Sequence, residues 1–377
     1  MRSDPEKILR RTMARFVDRE VIPRAREMDE AARFPREIFQ KLADMGCFGI
    51  RYPKNMGGAG GNTTLFCVMC EELARGYMSL AAITAMQCLM GTNFLFHHGT
   101  DELRQKYFIP AMRGEMVASF ALTEPEAATD LANVGTFAEK TDRGWLINGL
   151  KTWITNGPVA DFFTVLCQTK RGAGLRGLNF FFIPRDLPGV STSKAFDKLG
   201  TKSAEISELA FTDVLIPLDH QLGGDGQGMK NLFSILAVIR TMTASLGLGL
   251  ARAAFDASVK YANERVQFGR TIGNFQLIQS KIAKMAVDIW AARLMTYEAA
   301  RLIDRGEPAM KEASMAKYFA TEAACKAADE ATRIFGAYAY SMEYDVQRYY
   351  RDNRFLLYGG GTAEILQTII SREFGVS

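Results

Sequence analysis

The stretch Tyr358-Gly359-Gly360-Gly361-Thr362-Ala363-Glu364 sets three consecutive glycines directly before an apolar run, Ile365-Leu366-Gln367-Thr368-Ile369-Ile370. Glycines let the backbone approach a ligand closely, and Thr362 is placed to N-cap the helix that the apolar run begins. A glycine loop feeding a helix N-terminus turns backbone N–H groups and the positive end of the helix dipole toward negative charge. Alone, the same pattern also describes a tight turn. Other candidate chemistry is thin. Cys67 and Cys70 have Cys-x-x-Cys spacing, but they fall inside a helical pattern over 65–73, with no second Cys or His pair at metal-ligand spacing. They read as buried structural thiols. His97 and His98 end an apolar helix and His220 sits in a turn, so the three histidines also read as structural. Gly224-Asp-Gly226 and Gly247-Leu-Gly249 do not follow a strand in a βαβ unit, which argues against a Rossmann dinucleotide site.

The elements that must position these residues fall into three runs along the chain. Residues 1–115 read as helices. One amphipathic pattern covers 15–28, Pro35 opens another over 36–45, and after the glycine-rich turn at 56–61 further patterns cover 64–75, 80–96 and 101–113. Residues 80–96 are nearly all apolar or small, so that helix is expected to be buried on most faces. Residues 116–222 read as a β-domain, with hairpin signals at Asp142-Arg143-Gly144 and Asn148-Gly149. Short strands over 162–168, 178–183, 189–193 and 208–211 predict a small barrel or sandwich. Residues 223–377 return to helix, in long patterns over 229–263, 276–305 and 309–335, which predicts a four-helix-bundle-type domain. The small-residue face Ala316, Ala320, Ala323, Ala327 and Ala331 reads as close helix contact, in the core or at a subunit interface. The fold class is α+β, mainly helical.

With 377 residues, 48% hydrophobic and 23% charged, the chain can bury a sizeable core as an ordinary globular protein. The net charge of +4 is spread along it, and no Lys/Arg run or nucleic-acid motif points to DNA or RNA. The longest apolar run, 232–239, falls short of the ~18 residues of a membrane span. The opening residues lack the apolar segment of a secretory signal, and the six cysteines show no disulfide-framework spacing. A cytoplasmic setting is expected.

Four motifs narrow the function. Thr123-Glu-Pro-Glu-Ala-Ala-Thr-Asp130, Lys151-Thr-Trp-Ile-Thr-Asn156, Arg265-Val-Gln-Phe-Gly-Arg270 with Phe275-Gln276, and Arg351-Asp-Asn with Gly361-Thr-Ala-Glu364 occur in that order. Together the chain resembles the acyl-CoA dehydrogenase family over essentially its whole length. The resemblance implies a homotetramer with one FAD per subunit, each flavin touched by a neighbouring subunit. It also implies an acyl-CoA thioester substrate and electron-transfer flavoprotein as oxidant. Carried over residue by residue, Phe120, Leu122 and Thr123 match the strand lining the flavin, Trp153 offers a flat packing face, and Thr155 matches a hydroxyl near flavin N5. Arg265 matches an arginine that reaches the neighbour's pyrophosphate, where a guanidinium fork suits phosphate oxygens, and Gln267, Phe268 and Gln276 complete that cluster. Thr362 and Glu364 match cofactor-side positions, while Thr129, Arg240 and Tyr358 match positions near the thioester. Where the family often has Gln-x-x-Gly-Gly-x-Gly, this chain reads Arg333-Ile-Phe-Gly-Ala-Tyr-Ala-Tyr340, so Arg333 replaces an amide and Ala337 and Ala339 add methyl groups.

The reaction this resemblance implies removes a proton alpha to the thioester while the beta carbon gives hydride to flavin N5. A positioned carboxylate must take the proton. In relatives it stands in the loop just before Gly-Thr, or on a helix one residue before the matching arginine. Here those positions are Gly360 and Ile239, and neither side chain accepts a proton. Glu364 matches a cofactor contact and Glu124 a flavin-side turn, so both are poor substitutes. The backbone N–H at Gly360, which in relatives bonds the thioester carbonyl, is retained. Three readings stay open. The enzyme has a non-standard base or a substrate that needs none, with desulfinase-like lyase chemistry as a variant. Alternatively, it is a non-catalytic partner subunit of a hetero-oligomeric dehydrogenase, or its base lies at a position not singled out. Members acting on cyclic substrates carry a pocket aspartate, but no Asp occurs between Asp44 and Asp101. Nor do residues 80–96 hold a sulfinate-binding arginine.

Overall fold

The computed structural model describes residues 4–376. The N-terminal part is helical: α1 (Pro5–Phe16), α2 (Ala25–Ala31), α3 (Arg36–Asp44), α4 (Thr63–Gly76), α5 (Met78–Ala85), α6 (Asn93–His98), α7 (Asp101–Leu103) and α8 (Ile109–Met112). The amphipathic pattern expected over 15–28 is interrupted. A π turn at Val17–Val21 and a 3-10 turn at Ile22–Arg24 separate α1 from α2, because Pro23 has no N–H to continue the ladder. The apolar stretch 80–96 is likewise broken by a π turn at Met86–Met90, although its residues are buried as expected.

The middle part is a mixed sheet of eight strands: β1 (Ala118–Ala121), β2 (Phe137–Thr141), β3 (Gly144–Thr155), β4 (Phe162–Gln168), β5 (Leu178–Pro184), β6 (Val190–Thr192), β7 (Ile206–Ile216) and β8 (Gln221–Leu222). The order is β6-β7-β3-β2-β4-β5-β8, with β1 parallel to β4. Asp142-Arg143 turns between β2 and β3 as its sequence suggests. Asn148-Gly149 does not turn the chain; it is a bulge inside β3, which continues pairing with β7 beyond it. β4 and β5 are buried on both faces: Phe163, Val165, Phe181 and Ile183 fill the β-domain, while Phe162, Leu166, Phe180 and Phe182 face the helical core. Their continuous apolar runs follow from that double burial.

The C-terminal part holds α9 (Gly228–Glu264), the short pair β9 (Val266–Gln267) and β10 (Arg270–Thr271), α10 (Gln276–Asp304), α11 (Met310–Phe335), α12 (Asp345–Asp352) and α13 (Ala363–Arg372). α9 runs parallel to α11: Arg240 meets Ser314 near their starts, and Tyr261 stacks on Phe335 near their ends, 4.0 Å between ring centroids. Gly247 and Gly249 explain themselves here. A β-carbon on Gly249 would stand 2.1 Å from the Glu71 carbonyl oxygen of α4, and one on Gly247 3.0 Å from the Ala320 carbonyl oxygen of α11. α9 is pressed between two helices, and only glycine admits both. The stretches Met78–His98 and Gly228–Glu264 are long and apolar enough to cross a bilayer, longer than the sequence reading allowed. Since 83% and 78% of their apolar windows are buried within the protein, they serve as core helices.

Glu71 and Glu72 join the helical layers. Glu71 accepts from Arg252 and Arg293 at 2.7 Å each, Arg10 donates to both carboxylates, and Arg75 bonds Glu72 at 3.0 Å. Both carboxylates are fully buried, and the arginines arrive from α1, α4, α9 and α10.

Candidate active site

The glycine loop lies between two anchored helices. Behind it, Thr362 caps α13 as its sequence predicts, its hydroxyl oxygen accepting from the Ile365 N–H. Ahead of it, α12 is tied to both other parts of the molecule. Arg351 pairs with Asp29 at 2.5 Å and donates to the Leu199 carbonyl, while buried Asp352 accepts the Thr201 N–H at 2.6 Å. Burial pushes the Asp352 carboxyl up to about 6. The Arg351-Asp-Asn motif therefore positions the loop. Within the loop, Gly360 and Gly361 take φ of 76° and 105°, a region that favours glycine.

A β-carbon on Gly360 would stand 3.6 Å from Ile239 Cγ2 and 3.1 Å from Thr243 Oγ1. The two positions at which a base was sought meet in one place, lined by a methyl group and a hydroxyl. Thr243 donates that hydroxyl to the Ile239 carbonyl at 2.8 Å on its own helix. The nearby carboxylates are engaged elsewhere. Glu124 is buried, but Lys151 at 2.7 Å and the N–H groups of Gly135 and Thr136 outweigh that burial and hold its carboxyl below the usual range. Glu364 is exposed, and bonds to its own N–H and to Thr362 lower its pKa. Neither is built to take a proton at neutral pH.

Cations stand in place of a base. Arg240, next to Ile239 on α9, is 5% exposed and donates to Ser314 Oγ at 3.0 Å and Met310 Sδ at 2.8 Å. Its Nε is buried without a partner, and burial holds the guanidinium below its ordinary pKa. Lys317, one turn beyond Ser314 on α11, is fully buried and donates to the Gly361 carbonyl at 2.6 Å. Burial and then the charge of Arg240 bring its pKa down to about 8. Sequence reasoning missed Lys317. The signal was there: it is a lone charged residue within the buried face Ala313, Ser314, Ala316, Ala320.

A second group gathers where β1 meets β3. Leu122 and Thr123 follow β1, half-buried, and the Thr123 carbonyl accepts the Thr152 N–H at 2.9 Å. Phe120 lies behind them, its ring centroid 5.5 Å from Phe180. Trp153 is 61% exposed with φ 60°, and Asn156 has φ 65°, so left-handed residues bracket Thr155. Such a conformation in non-glycine residues costs ~1–3 kcal/mol and persists where structure imposes it. The result is an open indole face beside the half-buried hydroxyl residues Thr123 and Thr155. That combination fits a flat, hydrogen-bonding ring system. Thr129 is exposed on the turn after Glu124, and Tyr358 is exposed at the start of the glycine loop.

A third group is remote. Arg265 caps the far end of α9, about 38 Å along the helix from Arg240. Its guanidinium lies 5.3 Å from the Tyr338 ring. Gln267 and Gln276 are exposed, and Phe268 is 92% exposed at φ 52°. Arg333 is exposed and paired with Asp329 at 2.6 Å, and Ala337 is exposed on the 3-10 turn Gly336–Tyr340. One chain does not bring this group to the glycine loop. Among the described residues no cluster of His, Cys, Asp and Glu is arranged to hold a metal ion.

The chain matches the family models for the acyl-CoA dehydrogenase N-terminal domain over residues 3–115, middle domain over 119–214 and C-terminal domain over 226–375. It is 46% identical to benzylmalonyl-CoA dehydrogenase of Aromatoleum aromaticum, with 98% of each chain covered. It is 37% identical to the caffeyl-CoA reductase-Etf complex subunit CarC of Acetobacterium woodii, again over 98% of each. The FAD complex of PigA superposes with a TM-score of 0.95 at 26% identity, covering 99% of this chain and 98% of that one. The chain thus belongs to the acyl-CoA dehydrogenase family, as an FAD-dependent oxidoreductase acting on CoA thioesters.

Proposed function

We infer that this enzyme oxidises a 2-carboxy-3-arylpropanoyl-CoA thioester to a 3-arylacryloyl-CoA with loss of CO2. The observation that carries this reading is the meeting of Gly360 and Ile239, where no proton acceptor stands, beside two buried cations. The relative named for benzylmalonyl-CoA supports it, since a malonyl thioester carries a carboxylate on its α carbon. Loss of that carboxylate delivers an electron pair to the α carbon without any base. In R–CH2–CH(COO⁻)–CO–SCoA the bond to the carboxylate breaks, and its electron pair forms the α,β double bond as the β carbon gives up hydride. The products are R–CH=CH–CO–SCoA and CO2, and no proton needs an acceptor. An aryl group R fits the benzyl and caffeyl groups in the relatives' names.

Bound FAD supplies the acceptor for the hydride. Leu122, Thr123, Trp153 and Thr155 would hold its ring, with Phe120 packed behind and Thr362 and Glu364 on the cofactor side. The backbone N–H of Gly360 would polarise the thioester carbonyl, a contact worth about 3 kcal/mol in acyl-transfer enzymes. Thr129 and Tyr358 border the thioester's path. Arg265, Gln267, Phe268, Gln276, Arg333 and Ala337 lie too far from the loop to serve the same subunit's flavin, and so would serve a neighbour's in a homotetramer. Electron-transfer flavoprotein is the expected oxidant, as the name of the CarC relative suggests.

The test is anaerobic flavin bleaching in the purified holoenzyme. The carboxylated 2-carboxy-3-phenylpropanoyl-CoA is expected to bleach the flavin and release CO2, and 3-phenylpropanoyl-CoA is not. Equal bleaching by both thioesters would overturn the reading.

A further inference from the structure

A buried charge without a counter-charge is costly, so folded proteins pair such groups or reserve them for a ligand. Four basic residues are buried among the described residues: Lys151, Arg240, Lys317 and Arg348. Lys151 has Glu124 and Arg348 has Asp345, each at 2.7 Å. Among the described residues Arg240 and Lys317 have no carboxylate within ion-pair distance, and both belong to the site already described. Arg240 bonds a hydroxyl and a thioether, and its Nε has no partner at all. Lys317 spends its ammonium on main-chain carbonyls of the glycine loop. A carboxylate at position 360 or 239 would supply the missing negative charge from within the chain. Neither is present, so the positive charge is left for the substrate.

We propose that Arg240, backed by Lys317, is the seat of the carboxylate on the substrate's α carbon, and that this pair selects carboxylated acyl thioesters over plain ones. The assignment rests on the decarboxylative reading above and adds the residues that enforce it. Arg240 suits the task because a guanidinium fork bonds a carboxylate through two parallel N–H donors. Its partner Ser314 stands one turn before Lys317 on α11, and the Lys317 ammonium reaches the glycine loop at the Gly361 carbonyl.

The experiment is calorimetric titration of the holoenzyme with malonyl-CoA and with acetyl-CoA, neither of which has a β-carbon hydrogen to lose as hydride. The wild type is expected to bind malonyl-CoA about 100-fold more tightly than acetyl-CoA, a margin typical of one well-paired buried charge. Arg240→Met should erase that margin, weakening malonyl-CoA binding far more than acetyl-CoA binding. Arg240→Lys should restore part of it, and Lys317→Met should reduce it. Flavin content and melting temperature identify any variant that fails to fold, in which case Arg240→Lys against wild type carries the comparison. A margin that survives Arg240→Met, or equal weakening of both thioesters, overturns the assignment. If the margin behaves as expected but carboxylated thioesters never reduce the flavin, the seat stands and the proposed reaction falls. Flavin reduction with CO2 release and an unchanged margin in Arg240→Met overturns the seat and leaves the reaction standing.

Discussion

Gly360 and Ile239 are 121 residues apart in the chain, yet a β-carbon on Gly360 would touch Ile239 Cγ2 at 3.6 Å. A loop and a helix thus address one point in space, and a carboxylate carried at either position would enter the same space. This chain has one on neither.

Restoring a base should restore ordinary desaturation. Ile239 lies in regular helix and faces Gly360, whose neighbour Gly361 is bonded by the Lys317 ammonium. Ile239→Glu therefore places a carboxylate at the glycine loop without backbone strain. Stopped-flow bleaching by 3-phenylpropanoyl-CoA is expected to rise by about 10²–10⁴-fold over wild type. Gly360→Glu should do the same chemistry at a stability cost of about 1–3 kcal/mol, because φ there is 76°.

Substrate selection should depend on pH through Lys317. Its pKa of about 8 lies below the ordinary lysine value, so the ammonium is charged below pH 8 and neutral above it. Arg240 on α9, Glu322 and Cys325 on α11 and Glu364 on α13 set its field. Preference for carboxylated thioesters is expected to fall as pH rises through 8, with the inflection lost in Lys317→Met. The stability effect has the opposite sign. The cost of burying the charge is fully present below pH 8 and is relieved between 8 and the unfolded lysine pKa. Titrating malonyl-CoA affinity and melting temperature over pH 6–10, roughly the span around that value, separates the two.

Glu71 should matter to folding more than to catalysis. Glu71→Gln leaves Arg293 without its buried carboxylate, while Arg252 keeps Glu72 at 2.6 Å, and a loss of about 3 kcal/mol is expected in denaturant unfolding. Little change is expected in the substrate preference of the protein that remains folded.

Trp153 should matter to the cofactor and hardly to the fold. Its ring is 61% exposed, so Trp153→Ala removes little buried area from the β-domain. FAD is expected to dissociate about 10-fold more readily, a loss of ~1.4 kcal/mol, as read by flavin retained after dialysis. The melting temperature of the flavin-free protein should not move.

The parts of this molecule that depend on local chemistry are legible in the sequence. Thr362 caps its helix, Pro35 opens α3, and the runs that form β4 and β5 stand out by composition. Sequence and structure part where distant pairing decides. Asn148-Gly149 has the composition of a hairpin turn, but β7 holds the strand straight through it. Pro23 is a visible stop inside a pattern that otherwise reads as one helix. The Gly360–Ile239 contact is accessible only through family resemblance, since nothing local links a loop to the middle of α9. Lys317 escapes notice because a lysine in an alanine-rich helix reads as solvent-facing; its neighbours at 313, 314, 316 and 320 are all buried.

The decisive measurement is the fate of a ¹³C-labelled carboxylate on 2-carboxy-3-phenylpropanoyl-CoA during a single anaerobic turnover of the holoenzyme. The decarboxylative reading predicts one labelled CO2 per flavin reduced, and no reduction by the thioester lacking the carboxylate. Reduced flavin with the label retained in the thioester product would contradict it, and would mean that a base acts on the α carbon after all.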